Sequence, residues 1–184
     1  RFKRIVGLDP DKGLIREARN EITGVNYVEG WGETFKFEEK FGTISMNNLL
    51  EHVDDPVALL VNCKRHLEPD GRIIVQVPNS ESITRRLGVI MGIIDSLDNI
   101  SDREREVFGH QRVYTMKSLM DDADRAGLKM LASGGLLYKP IPNEDLERLC
   151  KVHGEDWTRR FIYALVKIGE DRPLECAYLY LVCV

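Results

Sequence analysis

Residues 43–79 read TISMNNLLEHVDDPVALLVNCKRHLEPDGRIIVQVPN, and this stretch decides the fold. Thr43 to Leu50 is an apolar run broken by two asparagines, and it has the length of a strand. Asp55-Pro56 starts a helix: an acidic side chain can cap it, and the proline lacks only an N–H that the first turn leaves unpaired. Val57, Leu59, Leu60, Cys63 and Leu67 mark its apolar face. Pro69-Asp70-Gly71 is a turn signal, and Arg72 to Val77 (RIIVQV) is a β-branched strand closed by Pro78-Asn79. Strand, helix and strand at this spacing predict a parallel pair joined by a crossover helix.

The same rhythm runs outward in both directions. Upstream, Arg4 to Leu8 is a short strand ended by Asp9-Pro10. Asp11 is placed to cap a helix in which Leu14, Ile15 and Ala18 follow at helical spacing. Val25 to Val28 is another strand, followed by Gly30-Trp31-Gly32 and an aromatic loop from Glu33 to Phe41. Downstream, Ser80 to Phe108 breaks the pattern with an apolar helix over Leu87 to Leu97 and a charged stretch over Asp102 to Glu106. Tyr114 to Gly127 returns to a helix, with Thr115 as its cap, Leu119, Met120 and Ala123 facing inward, and Gly127 as its stop. Leu128 to Tyr138 reads as a strand with a bend or bulge at Gly134-Gly135. Helices over Asn143–His153 and Asp156–Ile168 precede a last strand, Ala177 to Val184, expected antiparallel near the sheet edge. The expected architecture is α/β: a doubly wound, mostly parallel sheet forming one domain over residues 1–184, with an inserted helical cap or lid at 80–110.

Composition excludes several classes. With 43% apolar and 30% charged residues in 184, the chain is an ordinary globular domain, neither disordered nor membrane-spanning. A net charge of −4 argues against nucleic acid as the main partner. Its short basic clusters, Arg1-Lys3-Arg4, Arg85-Arg86 and Arg159-Arg160, read as solvated faces. No apolar run approaches the ~18 residues of a membrane span, and the expectation is a cytoplasmic protein. The four cysteines, Cys63, Cys150, Cys176 and Cys183, form no C-x-x-C pair and have no histidine at zinc-finger spacing. They read as reduced thiols, and no metal is expected.

Ligands of open α/β sheets bind outside the carboxyl ends of the parallel strands. Asp9 can accept hydrogen bonds from both hydroxyls of a ribose there, or serve simply as a helix N-cap or a solvated strand end. Gly30 and Gly32 allow close approach of a flat ligand, with Trp31 as a stacking face or as a core residue. Asn47, Asn48, Glu51 and His52 follow the third strand. His52 is a candidate general base near neutral pH, or a structural histidine.

Taken in order, these stretches resemble a class I S-adenosylmethionine-dependent methyltransferase of the small-molecule type. The resemblance rests on Ile5-Val6-Gly7-Leu8-Asp9-Pro10, Gly30-Trp31-Gly32-Glu33, Leu50-Glu51-His52-Val53 with Asp55-Pro56, Leu67-Glu68-Pro69-Asp70-Gly71, Val77-Pro78-Asn79, Gly109-His110-Gln111-Arg112 with Tyr114-Thr115, and Ala126-Gly127-Leu128. It implies S-adenosylmethionine as cofactor, with Asp9 on the ribose and Pro10 beside it. Trp31, Gly32 and Glu33 would line the adenine pocket, and Asn47 and Asn48 would flank the methionyl part. It implies Glu51, Gln111, Arg112 and Tyr114 around a small-molecule acceptor, and His52, then His110, as the base that takes a hydroxyl proton in an O-methylation.

The resemblance also implies a first strand with a glycine-rich loop, and a first helix, before the strand at Ile5. These are absent from the sequence, which starts at Arg1 and runs at once into that strand. The expectation is therefore an N-terminally truncated fold with two exposed strand edges. An upstream segment, a natural truncation without activity, or a strand from a second copy in a homodimer would each account for it. The alternative function is a non-catalytic binding or scaffold protein that has lost cofactor binding. A nicotinamide-dependent oxidoreductase uses the same acidic residue after its second strand, but the E-H-V-D-D-P stretch and the P-D-G turn favour the methyltransferase.

Overall fold

The structure, a computed structural model, describes residues 3–100 and 102–184, so Arg1 of the first basic cluster lies outside the described residues. The strand–helix–strand unit forms as its sequence predicts. Strand β3 (Phe41–Asn47) pairs in parallel with β4 (Leu67–Pro78), and helix α2 (Pro56–Arg65) connects them. Asp55 caps α2 by accepting from the Ala58 N–H at 2.9 Å, with Pro56 in the first turn.

Upstream, β1 (Val6–Asp9) and β2 (Asn26–Glu29) pair in parallel across helix α1 (Lys12–Glu21). The cap of α1 is Asp11, whose carboxylate accepts from the N–H groups of Gly13 and Leu14. Downstream come α3 (Ile83–Ile90), α4 (Asp102–Glu106), α5 (Met116–Arg125), β5 (Met130–Leu136), α6 (Asn143–His153), α7 (Glu155–Asp171) and β6 (Tyr178–Cys183).

The described strands form two sheets, not one. β1 and β2 stand alone, and the second sheet runs β3-β4-β6-β5. The expected parallel bias holds for β1–β2 and β3–β4, while β6 is antiparallel to both β4 and β5. The last strand is antiparallel as expected, but it sits inside the sheet and β5 takes the edge. The alternation in YLYLVC explains this: Leu179, Leu181 and Cys183 are buried, and both strand edges find partners.

The core lies against one face of the four-stranded sheet. Ile73, Val75 and Val77 of β4 and Leu179, Leu181 and Cys183 of β6 meet Leu59, Leu60 and Cys63 of α2 and Leu119 and Ala123 of α5. Thr115 and Ser118 cap α5 reciprocally, and Gly127 ends it at φ 69°. In the β1–α1–β2 unit only Ile15 is buried among the apolar residues.

Three local expectations are corrected. Pro69-Asp70-Gly71 does not separate helix from strand; it lies within β4, where two steps along β3, Phe41 to Thr43, face five along β4, Leu67 to Arg72. The chain bulges there, and Gly71 runs so close that a Cβ would meet the Phe41 carbonyl oxygen at 2.8 Å. Gly134-Gly135 is not the bulge of β5; the register shift falls between Met130 and Ala132. These glycines instead admit the Tyr180 ring and the Pro173 carbonyl, which a Cβ would meet at 2.8 and 1.9 Å. The apolar helix in the insert covers Ile83–Ile90 and not Leu87–Leu97, because Ser82 caps it and Gly92, at φ 69°, follows its end. Ile90, Met91 and Ile93 are exposed.

Candidate functional site

Two neighbouring recesses lie at the carboxyl ends of the strands. The larger is a cleft of about 220 Å³ between the two sheets, with Val6, Leu8 and Asp9 of β1 on one side and Thr43 to Met46 of β3 on the other. The facing edges of β1 and β3 are not paired with each other. Asp9 is half-buried at the end of β1, and its Oδ1 accepts from the Asp11 N–H at 2.8 Å. That bond turns the chain away from the strand and leaves the carboxylate at the cleft, along with Pro10, Gly30 and Gly32.

The loop after β2 is held by two residues that sequence reasoning missed. Asn62 of α2 is buried, and its amide donates to the carbonyls of Gly32 and Phe35, both at 3.1 Å. His66, one turn on, places Nδ1 2.9 Å from the Asn62 carbonyl and accepts the Phe37 N–H on Nε2 at 3.2 Å. A carbonyl only accepts, so the proton sits on Nδ1 and the ring is held as the neutral tautomer. The two share one face of α2 at i, i+4 spacing, the only signal the sequence carried. Gly32 lies against Leu59, which a Cβ would meet at 2.7 Å. Trp31 projects outward, 65% exposed, and Glu33 is half-buried.

Asn47 ends β3, and Asn48 takes a left-handed conformation (φ 51°) that asparagine tolerates better than most residues. Both are exposed, and the cleft wall beside them is Ser45, Met46 and Leu49. Asn48 donates its N–H to the Gln76 carbonyl at 2.8 Å, which fixes where the chain leaves the sheet.

The chain then turns through Glu51 and His52 into the smaller recess, a cavity of about 20 Å³ lined by Glu51, Asn79, Arg85, Glu104, His110 and Arg112 among others. The two candidate bases, far apart in sequence, meet here with ring centroids 4.9 Å apart. Glu51 is 1% exposed, and neither carboxylate oxygen has a hydrogen-bond partner. Burial pushes its carboxyl up to about 7, against a smaller downward pull from its own backbone N–H. His52 Nε2 lies 3.7 Å from Glu51 Oε1. On the other side of that ring, Nδ1 lies 3.4 Å from the Gly109 carbonyl. Burial holds His110 below the usual imidazole value, and the charge of His52 adds to this, while Glu104 pulls up and Arg85 pulls down.

Gln111 and Arg112 tie the two segments of this recess together. The Gln111 amide donates to the His52 carbonyl at 2.7 Å and to Asp54 Oδ1 at 3.0 Å. The Arg112 guanidinium donates to the carbonyls of Leu50, Val53 and Asp54. Tyr114 is buried in the core, its hydroxyl donating to Asp122 Oδ2 at 3.0 Å; burial, then the Asp122 charge, pushes the phenol well above its ordinary value. Arg85 reaches across the insert to Glu104 and to the carbonyls of Leu97 and Asn99. The Asn79 amide clamps the carbonyls of Leu174 and Cys176. The thiol of Cys63, pushed up to about 12 by burial, packs on Met46 and offers no nucleophile.

Comparison with known proteins agrees with this arrangement. The model of the family described as "Methyltransferase domain" matches residues 1–133. A ubiquinone biosynthesis O-methyltransferase of Coxiella burnetii (strain RSA 331 / Henzerling II) is 27% identical over 150 residues, which cover 78% of this chain and 62% of that protein. The chain thus spans about 62% of the length of the first curated relatives it matches. Among solved structures, a SAM-dependent methyltransferase of Thermotoga maritima, described as a possible histamine N-methyltransferase, superposes with a TM-score of 0.63 at 19% identity, over 98% of this chain and 72% of that one. An S-adenosylmethionine-dependent methyltransferase of Mesorhizobium loti gives 0.62 at 13% identity, over 98% and 79%. With two sheets meeting at an acidic strand end, and a family model matched over most of its length, the chain belongs to the class I S-adenosylmethionine-dependent methyltransferases.

Proposed function

We propose that the protein transfers a methyl group from S-adenosylmethionine to a hydroxyl of a small-molecule acceptor. The observation that carries this reading is the position of Asp9. Its carboxylate stands at the carboxyl end of a parallel strand, on a cleft whose far wall is another strand and whose floor includes the backbone of Gly30 and Gly32. An acceptor-only group at that point suits a pair of ribose hydroxyls. The glycine backbone suits close approach of a flat ring, and exposed Trp31 is free to fold onto it.

S-adenosylmethionine supplies an electrophilic methyl group on a sulfonium centre. The chain's own residues then have two tasks, to hold the acceptor in line and to take its proton. His52 and His110 stand together beside the cleft for the second task. With Nδ1 of His52 donating to the Gly109 carbonyl, Nε2 keeps a lone pair for the acceptor hydroxyl. Gln111 and Arg112 position this pair by binding the loop that carries His52. The 80–110 insert, cross-linked by Arg85, acts as the cap that keeps water from the reacting atoms. O-methylation is favoured by the likeness to ubiquinone biosynthesis O-methyltransferases.

The test is calorimetric titration of the purified protein with S-adenosylmethionine, followed by radiolabelled methyl transfer to a panel of phenols, catechols and amines. Binding is expected to weaken by at least ~10-fold in Asp9→Asn, the size of effect that follows loss of one charge-assisted hydrogen bond. Equal affinity in wild type and D9N, or label transferred only to amines, refutes the reading.

A further inference from the structure

Three donors, Glu51 and His110 from the lining of the smaller recess and His52 next to Glu51 in the chain, are arranged as a metal site is. One atom each of Glu51, His52 and His110 lie within 4.8 Å of one another. Ions of the zinc type sit ~2.0–2.2 Å from nitrogen and carboxylate ligands, so a tetrahedral set spaces its donors ~3.4 Å apart. His52 Nε2 and Glu51 Oε1 are already 3.7 Å apart, and a ring nitrogen of His110 lies within 4.8 Å of a donor of each.

The surroundings fit the same purpose. Glu51 is a carboxylate withdrawn from water with neither oxygen hydrogen-bonded, which costs free energy unless a cation answers it. Two arginines line the same cavity and neither serves. Arg85 is paired with Glu104 and held by two carbonyls, and Arg112 is turned onto the carbonyls of the His52 loop. His52 points Nδ1 at the Gly109 carbonyl, the bond by which metal-bound histidines fix their tautomer and aim the other nitrogen at the ion. The cavity, at about 20 Å³, admits one water-sized occupant.

We propose that Glu51, His52 and His110 bind one first-row divalent transition-metal ion, with its remaining positions open to the oxygen of the acceptor. Two imidazoles and one carboxylate select zinc, iron, cobalt or manganese over magnesium and calcium, which prefer all-oxygen sets. No local pattern signals this set, since two ligands are adjacent and the third stands 58 positions on, at the end of the insert. The role rests on the proposed O-methylation: an ion that binds the acceptor hydroxyl makes it acidic enough to give its proton to bulk water near neutral pH, the oxygen then takes the methyl group as the methyl–sulfur bond breaks and the neutral thioether leaves, and His52 is then a ligand and not the base. The binding itself does not rest on that reading.

Cobalt(II) alone is the probe. The purified protein, stripped with chelator, is titrated with CoCl2 in the absence of S-adenosylmethionine and any acceptor. One equivalent is expected to bind with visible d–d absorption, and two histidine rings are expected to show paramagnetically shifted proton resonances. Glu51→Gln, which keeps the side-chain volume, and His110→Ala are expected to weaken binding at least ~10-fold, the lower bound for disturbing a metal site. His153→Ala removes a histidine stacked on Trp157 at 4.3 Å, and is expected to change nothing. Near-UV circular dichroism checks that the variants fold, and the wild-type titration decides without them. No d–d absorption, binding lost in H153A, or binding unchanged in E51Q overturns the proposal. Failure of methyl transfer with cobalt bound would overturn only the O-methylation reading.

Discussion

Asn62 shows how much one buried amide can carry. Its side chain is the link between α2 and the loop that forms one wall of the cleft, and it satisfies two carbonyls at once. Replacing it with alanine leaves both carbonyls without their donor, at a cost of about 1–3 kcal/mol. Asn62→Ala should therefore lower the midpoint of urea unfolding without changing its slope, and weaken S-adenosylmethionine binding through the displaced loop. An unchanged midpoint would show that the loop is held by its phenylalanines instead, which cluster around His66 with Phe35 at 4.5 Å. Only its i, i+4 spacing to His66 marked Asn62 in the sequence, because an asparagine inside a helix has no stronger local pattern. Asp9, by contrast, was legible: an acidic residue ending an apolar strand and followed by proline has few other places to be.

At the level of elements, the caps of α1, α2 and α5 were all readable, because a cap is a bond between residues two or three apart. The β4 bulge was not, since it exists only against β3. Gly71 is its tightest point. A methyl group there would meet three backbone atoms, the oxygens of Phe41 and Glu68 and the Glu68 nitrogen, at 2.8 to 3.1 Å, and backbone cannot swing aside as a long side chain can. Gly71→Ala should destabilise the protein by ~1–3 kcal/mol, the range for overfilling a packed position. Chemical denaturation measures it, and a loss below ~0.5 kcal/mol would mean that the bulge is free to shift its register.

On the scale of the whole molecule, stability is unevenly shared. The four-stranded sheet carries the core, whereas β1, α1 and β2 bury a single apolar side chain fully and share no strand pairing with the larger sheet. Local opening free energy follows buried contacts. Amide exchange should thus be fastest in β1 and β2 and slowest in β4 and β6, and on the proposed function added S-adenosylmethionine should slow β1 and β2 most. Uniform protection in both sheets would contradict this division. No helix among the described residues is long and apolar enough to cross a membrane.

The sequence by itself determined the alternation of strands and helices, the caps, the acidic strand end at Asp9 and the family. All of these depend on hydrophobic period and on hydrogen bonds between near neighbours, which the chain writes locally. Only the tertiary structure decided that β6 lies inside its sheet, that His110 meets His52, and that Glu51 is buried without a partner. Those outcomes depend on pairings between distant segments, where the cost of closing a loop and the space left by every other side chain choose the neighbour.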